Sequence, residues 1–288
     1  MCSFTVASRA IPLVLSLALL TCACARAPSP LAPTLQGSIG VPHRGVLTQG
    51  IRPQIGEGFR WLRDNDRHYA TPRFAHTIER AAAKVAQARP GGMLVVGDLS
   101  IQGGGQLLPH LSHRTGRDAD LLLYVTTLEG APVQSPGFIH VGADGLAWDD
   151  AHRRFLRFDV ERQWLLVKAL VEDEDARIQW VFVSRVVEAI LIEWARARGE
   201  PGDTILRAAE VMLQPQPGGI HDDHVHIRTA CSADELARGC EHTGPMRAWL
   251  TVPTTLEGGM PSTEELVLSL LRPIEEERVE RADKVSAR

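Results

Sequence analysis

The residue types best suited to chemistry lie in two short segments of the chain, and the more C-terminal segment is the denser. It places three histidines, His221, His224 and His226, within six residues, and Arg228 follows two positions later. From His224 onward polar and apolar residues alternate as in a strand, so His224, His226 and Arg228 are predicted to share one face. Because imidazole and guanidinium groups fill a protein interior poorly, we predict that this face holds a metal ion beside a proton acceptor.

The other segment supplies more histidines and a pair of carboxylates. His110 and His113 lie three residues apart, and Asp120 follows at the start of an apolar run. Asp118 and Asp120 are two positions apart in what is predicted to be a strand, so they share a face. Two such clusters, each attached to a strand, predict a single site built from both segments.

A ligand set for one Zn²⁺ is predicted from these clusters: His113, Asp120 and His226. Two imidazoles and one carboxylate leave a fourth position for water, as catalytic zinc requires, and zinc lowers the pKa of that water towards ~7. His224 lies about 6–7 Å along the strand from His226 and is predicted to take up a proton. His221, on the preceding turn, is predicted to stabilise an oxyanion.

Asp118 and Arg228 each have two interpretations at this stage. Asp118 either orients a histidine ligand or caps the turn after Gly116. Arg228 either binds a substrate carboxylate through two hydrogen bonds or pairs with an acid such as Asp118.

Nearby, the glycine-rich stretch 97–105 is predicted to be a permissive backbone loop beside the site, because it lacks the Gly-Lys-Ser/Thr ending of a phosphate-binding loop.

The surrounding helices and strands are predicted from capping residues and from the spacing of apolar residues. Thr71 and Pro72 are predicted to begin a helix that ends at Pro90. Asp159 and Ser184 are predicted to cap two further helices. Residues 130–148 are predicted to be mostly loop, and strands are predicted at residues 93–97, 118–125, 178–183 and 224–228.

Composition limits the class of protein. The chain has 288 residues, of which 44% are hydrophobic, enough to bury the core of one domain of moderate size plus appendages. A net charge of -4 and a pI near 6.3 provide no basic surface, so nucleic acid is not an expected partner.

The N-terminus has the features of a secretory signal peptide over residues 1–25. Arg9 precedes an apolar run that small residues follow, an order typical of such signals. Cleavage before Arg26 would release a soluble protein, whereas lipid attachment at Cys22 or Cys24 would make a membrane-anchored lipoprotein. Both outcomes imply export.

The remaining boundaries follow from composition. Residues 26–50 are rich in Pro, Gly and Ser and are predicted to be a linker. Residues 51–253 are predicted to be the catalytic domain, and residues 254–288 a short helix with a charged tail.

Export would place Cys231 and Cys240 in an oxidising compartment, where a disulfide is predicted; two free buried thiols are the alternative.

Together the two segments resemble the signature segments of the penicillin-insensitive murein endopeptidases. The resemblance extends over about residues 65–241, and Gly97-Asp98 and the helix containing Arg162-x-Trp164 are also similar to that family. The patterns that carry it are His110-x-Ser-His113-x-x-Gly116-x-Asp118-x-Asp120 and Gly219-x-His221-x-x-His224-x-His226-x-Arg228.

This resemblance implies a fold, a reaction and a location. The fold is the α+β fold of the lysostaphin, D-Ala-D-Ala peptidase and hedgehog-like group, a small antiparallel β-sheet flanked by helices with the zinc site on the sheet. The reaction is hydrolysis of D-alanyl–diaminopimelate cross-links between peptidoglycan peptide stems in the periplasm. The implied site consists of the zinc ligands His113, Asp120 and His226, the catalytic residues His224 and His221, and His110 nearby.

Two other functions are weighed against this one. A D,D-carboxypeptidase or D-Ala-D-Ala dipeptidase would use the same metal site, but those relatives place an acidic base in a Glu-x-x-His arrangement, a role that falls to His224 here. A non-catalytic module that binds the cell wall is disfavoured because all the catalytic positions are present. Asp223 is the one departure, since an aromatic residue is expected there, and it affects substrate fit more than metal binding.

Overall fold

The computed structural model describes residues 35–56, 58–215, 219 and 221–250. The predicted signal peptide (residues 1–25) and the predicted C-terminal helix and tail (residues 254–288) lie outside the described residues. Among the helices that are described, none combines the length and the apolar character needed to cross a membrane.

Short strands alternate with helices along the described chain. Two 3-10 turns, Glu174–Ala176 and Ala248–Leu250, complete the regular structure. In order, the elements are β1 (Ser38–Val41), β2 (Arg44–Leu47), β3 (Phe59–Trp61), α1 (Pro72–Ala88), β4 (Leu94–Val96), β5 (Asp118–Leu122), β6 (Val125–Thr126), β7 (Pro132–Val133), β8 (Leu146–Asp149), β9 (Arg154–Phe158), α2 (Val160–Val171), β10 (Ile178–Phe182), α3 (Arg185–Ala197), α4 (Gly202–Val211), β11 (Met212–Leu213), β12 (His224–Thr229) and α5 (Ala233–Ala237).

A six-stranded sheet in the order β11-β10-β12-β5-β4-β3 forms the centre of the fold. Its inner pairs are antiparallel, whereas β3 runs parallel to β4 and β11 parallel to β10. The predicted α+β class is confirmed, although the sheet is mixed at its two edges rather than antiparallel throughout. The reason is that α1 connects β3 to β4, and α3 and α4 connect β10 to β11, and a helical crossover returns the chain in the same direction.

Alternation along β5 and β12 separates a core-facing side of the sheet from a second, polar side. Across the two strands Val225 pairs with Leu121 and Ile227 with Ala119, and all four side chains are buried in the core together with apolar residues of α1, α2 and α3. Because successive strand residues point to opposite faces, the intervening residues of β5 and β12 point away from these helices.

Side-chain caps begin three of the helices where the sequence predicts them. Thr71, Asp159 and Ser184 each accept a hydrogen bond from a backbone N–H in the first turn of α1, α2 and α3, which satisfies a donor that the helix leaves free. Helix α4 was not predicted. It begins after Pro201 without a side-chain capping hydrogen bond, so the usual signal for a helix start is absent.

Part of the predicted linker at residues 26–50 differs from expectation, because it forms the antiparallel hairpin β1–β2. Arg117, whose side chain is fully buried, donates from Nε to the Ser38 hydroxyl over 2.9 Å and from a terminal nitrogen to the Gly40 carbonyl over 3.2 Å. Leu47 is fully buried as well. These partners are distant in sequence, so composition alone does not reveal the hairpin.

The stretch predicted to be loop at residues 130–148 also contains regular structure. It contributes β7 and β8 to a four-stranded sheet in the order β7-β6-β9-β8. These strands are only two and four residues long, too short for a period-two pattern to distinguish them from loop.

The predicted disulfide is confirmed. Cys231 and Cys240 are joined by an S–S bond of 2.05 Å. The bond ties the residues that follow β12 to the segment after α5.

Candidate active site

The pairing of β5 with β12 brings the two sequence segments together. His226 lies directly opposite Asp120, and His224 lies opposite Leu122. His226 Nδ1 and His224 Nε2 are each 3.5 Å from Asp120 Oδ1. One carboxylate of β5 therefore faces both histidines that alternate along β12.

His113 approaches the same carboxylate from the loop before β5. Its Nδ1 donates to the Leu99 carbonyl over 2.8 Å, and its Nε2 lies 3.3 Å from Asp120 Oδ1. Since a carbonyl oxygen only accepts, neutral His113 carries its proton on Nδ1 and presents the lone pair of Nε2 to Asp120. The backbone of His113 is left-handed, with φ 63°, a conformation uncommon for a residue other than glycine.

Several atoms at this point are buried without a hydrogen-bond partner among the described residues: His113 Nε2 and both carboxylate oxygens of Asp120. Buried polar atoms are normally paired, because an unpaired one loses its hydrogen bonds to water without replacement. Lone pairs of imidazole and carboxylate that converge in this way are the donor set that Zn²⁺ takes in proteins. The residues present fit a bound zinc ion.

His226 is oriented towards the same point by a second carboxylate. Its Nε2 lies 2.8 Å from Asp118 Oδ1, so Nε2–H donates to that carboxylate and Nδ1 keeps its lone pair on the side of Asp120. Arg228 donates from Nε to the same oxygen of Asp118 over 2.7 Å. Of the two interpretations of each residue, Asp118 therefore orients a histidine, and Arg228 pairs with Asp118.

His110 offers an alternative third ligand. His110, His113 and Asp120 form a group whose candidate ligand atoms all lie within 4.8 Å of one another. However, His110 Nδ1 is 3.7 Å from Asp120 Oδ2, and its Nε2 is 3.0 Å from Asp98 Oδ2. The site thus gathers four imidazoles around Asp120, two more than a ligand set of two histidines and one aspartate requires.

The carboxylates of the site are held in their charged form. Burial favours protonation of Asp120, but His113 and the other histidines outweigh burial and hold the pKa of Asp120 well below its usual range. Burial likewise opposes ionisation of Asp118, but Arg228 and His226 outweigh it and lower the pKa of Asp118. Two ionised carboxylates in a buried site create the negative potential that attracts a divalent cation.

The histidines on and before β12 differ in protonation. Burial lowers the pKa of His226 to about 4 and also lowers the pKa of His221, so both are neutral at pH 7. For His224, burial acts in the same direction, but the nearby carboxylates of Asp120 and Asp223 outweigh it and raise the pKa to about 9. His226 is therefore ready to bind a cation, whereas His224 attracts a proton.

His221 lies where the turn before β12 brings it beside the other rings. Its ring centroid is 4.8 Å from that of His224 and 5.9 Å from that of His226. Its backbone is left-handed, with φ 53°, and its Nδ1 donates to the Gly219 carbonyl over 2.7 Å. The structure thus places all the predicted site histidines in one cluster.

Several residues that contact this cluster have no role predicted from the sequence. Asp98 joins Arg67 to His110, with oxygen–nitrogen distances of 2.9 and 3.0 Å. Phe138 and Phe182 stand edge-on to His224 and His226, each with ring centroids 5.2 Å apart. Asp98 follows a buried strand and was visible as part of the family resemblance, whereas the two phenylalanines come into place only through sheet and loop contacts.

The glycine-rich loop lies beside the site, as predicted, and approaches it closely. A Cβ on Gly97 would meet Asp120 Cβ at 3.3 Å and the Phe138 ring at 3.4 Å. At Gly104, where φ is +67°, a Cβ would lie 2.2 Å from backbone atoms of Arg114 and Leu47. The backbone of the loop packs so closely against its neighbours that side chains at these glycines would not fit.

The chain is similar to known proteins over most of its length. Residues 38–249 match the model of a family described as penicillin-insensitive murein endopeptidase. A protein of that name from Haemophilus influenzae is 30% identical over 203 residues, which cover 68% of this chain and 63% of that protein. Another, from Salmonella paratyphi B, is 25% identical over 200 residues, 66% of this chain and 65% of that protein. The chain thus spans a little under two thirds of the length of these relatives.

Proposed function

The chain belongs to the penicillin-insensitive murein endopeptidase family, and we propose that it is an exported zinc metallopeptidase that hydrolyses D-alanyl–diaminopimelate cross-links of peptidoglycan in the periplasm. The observation that carries this proposal is the carboxylate of Asp120. It is buried and ionised, its oxygens have no hydrogen-bond partner among the described residues, and imidazoles surround it.

His113, Asp120 and His226 are the proposed zinc ligands. When bound, zinc supplies a Lewis acid and a hydroxide nucleophile at neutral pH. His113 and His226 each donate one ring N–H to a neighbouring oxygen and direct the other nitrogen towards Asp120, the arrangement of a histidine ligand supported by an outer partner. His110 is assigned to the site wall, because its Nδ1 lies farther from Asp120, at 3.7 Å, and its side chain is the more exposed, at 22% against 10% for His226.

His224 is the proposed general base. Its Nδ1 is held by Asp223 over 2.6 Å, and its Nε2 faces the metal-ligand cluster. A cation bound by that cluster would oppose protonation of the ring and so leave Nε2 able to accept a proton. His224 accepts a proton at Nε2 from the attacking water and returns a proton to the nitrogen of the leaving amine, so the peptide bond breaks without forming an unstable amide anion. Phe138, edge-on to this ring, limits its rotation.

His221 is proposed to stabilise the oxyanion that forms on the attacked carbonyl. Its Nδ1–H is already engaged by the Gly219 carbonyl, so only Nε2 can serve the substrate. Nε2 donates a hydrogen bond when the ring is protonated, and burial lowers the pKa of His221. The developing negative charge on the oxyanion provides the compensating attraction for that proton.

Mass analysis of the products tests the reaction. Purified mature protein with zinc is incubated with muropeptides, both cross-linked dimers and uncross-linked stems. Conversion of dimers to monomers, without release of free D-alanine from the stems, supports an endopeptidase. Release of D-alanine from uncross-linked stems would instead indicate a D,D-carboxypeptidase. Binding to sacculi without any cleavage would indicate a non-catalytic module.

A further inference from the structure

We propose that Asp223 is a positioning residue that fixes the ring and the tautomer of His224. This inference rests on the proposed function of His224 as general base. Asp223 Oδ1 lies 2.6 Å from His224 Nδ1. A carboxylate accepts hydrogen bonds, so Nδ1 carries the proton and the lone pair of neutral His224 is on Nε2, the nitrogen that faces the site.

The contact is sheltered rather than fully solvated. The exposed fraction of the side chain is 16% for His224 and 20% for Asp223. His224 opens strand β12 and pairs with Leu122 of β5, so its backbone is fixed, and the preceding turn is tied down by a hydrogen bond from Val141 N–H to the Asp222 carbonyl. The two side chains therefore meet on a backbone that is held on both sides.

The other neighbours of His224 do not replace this bond. Phe138 and His221 contact the ring as aromatic neighbours, with centroids at 5.2 and 4.8 Å. Asp120 lies on the side of Nε2. Among the described residues, Asp223 is the hydrogen-bond partner of Nδ1. Without it, no hydrogen bond among the described residues keeps the proton of His224 on Nδ1.

Asp223 thereby acquires a role that the sequence alone does not suggest. From the sequence it is connected with substrate fit, because an aromatic residue is expected at that position. The structure instead places its carboxylate against the general base, the same relation that a carboxylate has to histidine in other Asp–His pairs. Because it acts through His224, its loss is expected to lower kcat and to leave KM and zinc content nearly unchanged.

The adjacent Asp222 provides a matched control. It has the same side chain and lies in the same turn, but its Oδ1 is 2.7 Å from Nδ1 of His140. Asp222→Ala removes an equal charge next to the site without touching His224. Comparison of Asp223→Ala with Asp222→Ala therefore separates the specific hydrogen bond from a general change in electrostatics.

The test uses kinetics on cross-linked muropeptide dimers and ¹⁵N spectra of the imidazoles, with the zinc-loaded protein. We expect kcat to fall about 10–100-fold in Asp223→Ala, as for loss of an outer partner. In Asp223→Asn, whose amide oxygen still accepts a hydrogen bond, kcat should recover in part. In Asp222→Ala it should stay at the parent level. The spectra are recorded at a pH at which the His224 ring is neutral. The signals of His224, identified by their absence from His224→Gln, should show the Nδ1–H tautomer in the parent and in Asp222→Ala, and lose it in Asp223→Ala.

Parent kcat together with the parent tautomer in Asp223→Ala would overturn the inference. The two readouts also separate it from the proposed function. If the parent protein itself leaves dimers uncleaved, the peptidase proposal fails, while the ¹⁵N spectra still decide whether Asp223 sets the tautomer of His224.

Discussion

His226 and Asp118 form a hydrogen-bonded pair across β12 and β5, with Nε2 2.8 Å from Oδ1. The pair leaves Nδ1 of His226 directed at Asp120, 3.5 Å away. His110 has a comparable outer partner in Asp98, but its Nδ1 is farther from Asp120 and its side chain is more exposed, at 22% against 10%. The shorter distance and the deeper burial are the structural reasons for assigning His226 to the metal.

The assignment predicts different metal contents for two histidine variants. His226→Ala should be isolated with little zinc, because it removes a ligand, whereas His110→Ala should retain about one zinc per chain. Elemental analysis of the purified proteins measures this directly. Retention of zinc by His226→Ala and its loss from His110→Ala would replace the proposed set with His110, His113 and Asp120.

The outer carboxylate should control how tightly zinc binds. Asp118→Asn keeps an oxygen that can accept from His226 but removes the charge, so zinc affinity is expected to fall about 10–100-fold in a competition with a chelator. Asp98→Asn is the matched control, because Asp98 holds His110 rather than a proposed ligand. Equal zinc affinity in the parent and Asp118→Asn would contradict this role of Asp118.

Removal of the general base should separate catalysis from metal binding. His224→Ala is expected to retain zinc and the parent melting temperature while kcat falls about 10²–10⁴-fold, the usual contribution of general base catalysis. Steady-state kinetics on muropeptide dimers and zinc analysis of the same sample measure both properties. Loss of zinc in His224→Ala would show that the ring is a ligand rather than the base.

The role of His221 depends on a hydrogen-bond donor, which predicts a difference between two substitutions. His221→Gln places a neutral N–H donor near the position of Nε2, whereas His221→Ala supplies none. Removal of one oxyanion donor typically costs about 10²–10³-fold in kcat, so we expect His221→Ala to lose that much and His221→Gln to lose less. Equal losses in the two variants would argue against donation to the oxyanion.

Much of the site was accessible from the sequence because it depends on local spacing. The alternation that begins at His224 and the pair Asp118 and Asp120 identify two strand faces, and their antiparallel pairing brings His226 opposite Asp120. Capping residues such as Thr71 predicted helix starts for the same reason, since the cap and the N–H that it satisfies lie within one turn.

Features that depend on contacts between residues distant in the sequence could not be predicted from local spacing. The hairpin β1–β2 is held by Arg117, which lies far along the chain. Phe182 reaches His226 only because β10 pairs with β12 on the side away from β5. Asp223 is the opposite case: it is adjacent to His224, yet its contact depends on which way the two side chains turn.

The most direct test of the central claim is the zinc dependence of cross-link cleavage. Purified mature protein is incubated with peptidoglycan dimers cross-linked through D-alanyl–diaminopimelate, before and after treatment with a chelator and again after addition of Zn²⁺, and the products are analysed by mass spectrometry. We predict that dimers are converted to monomers, that the chelator stops the conversion, and that zinc restores it. Dimers that stay intact in the zinc-loaded protein, or cleavage that persists after the metal is removed, would contradict it.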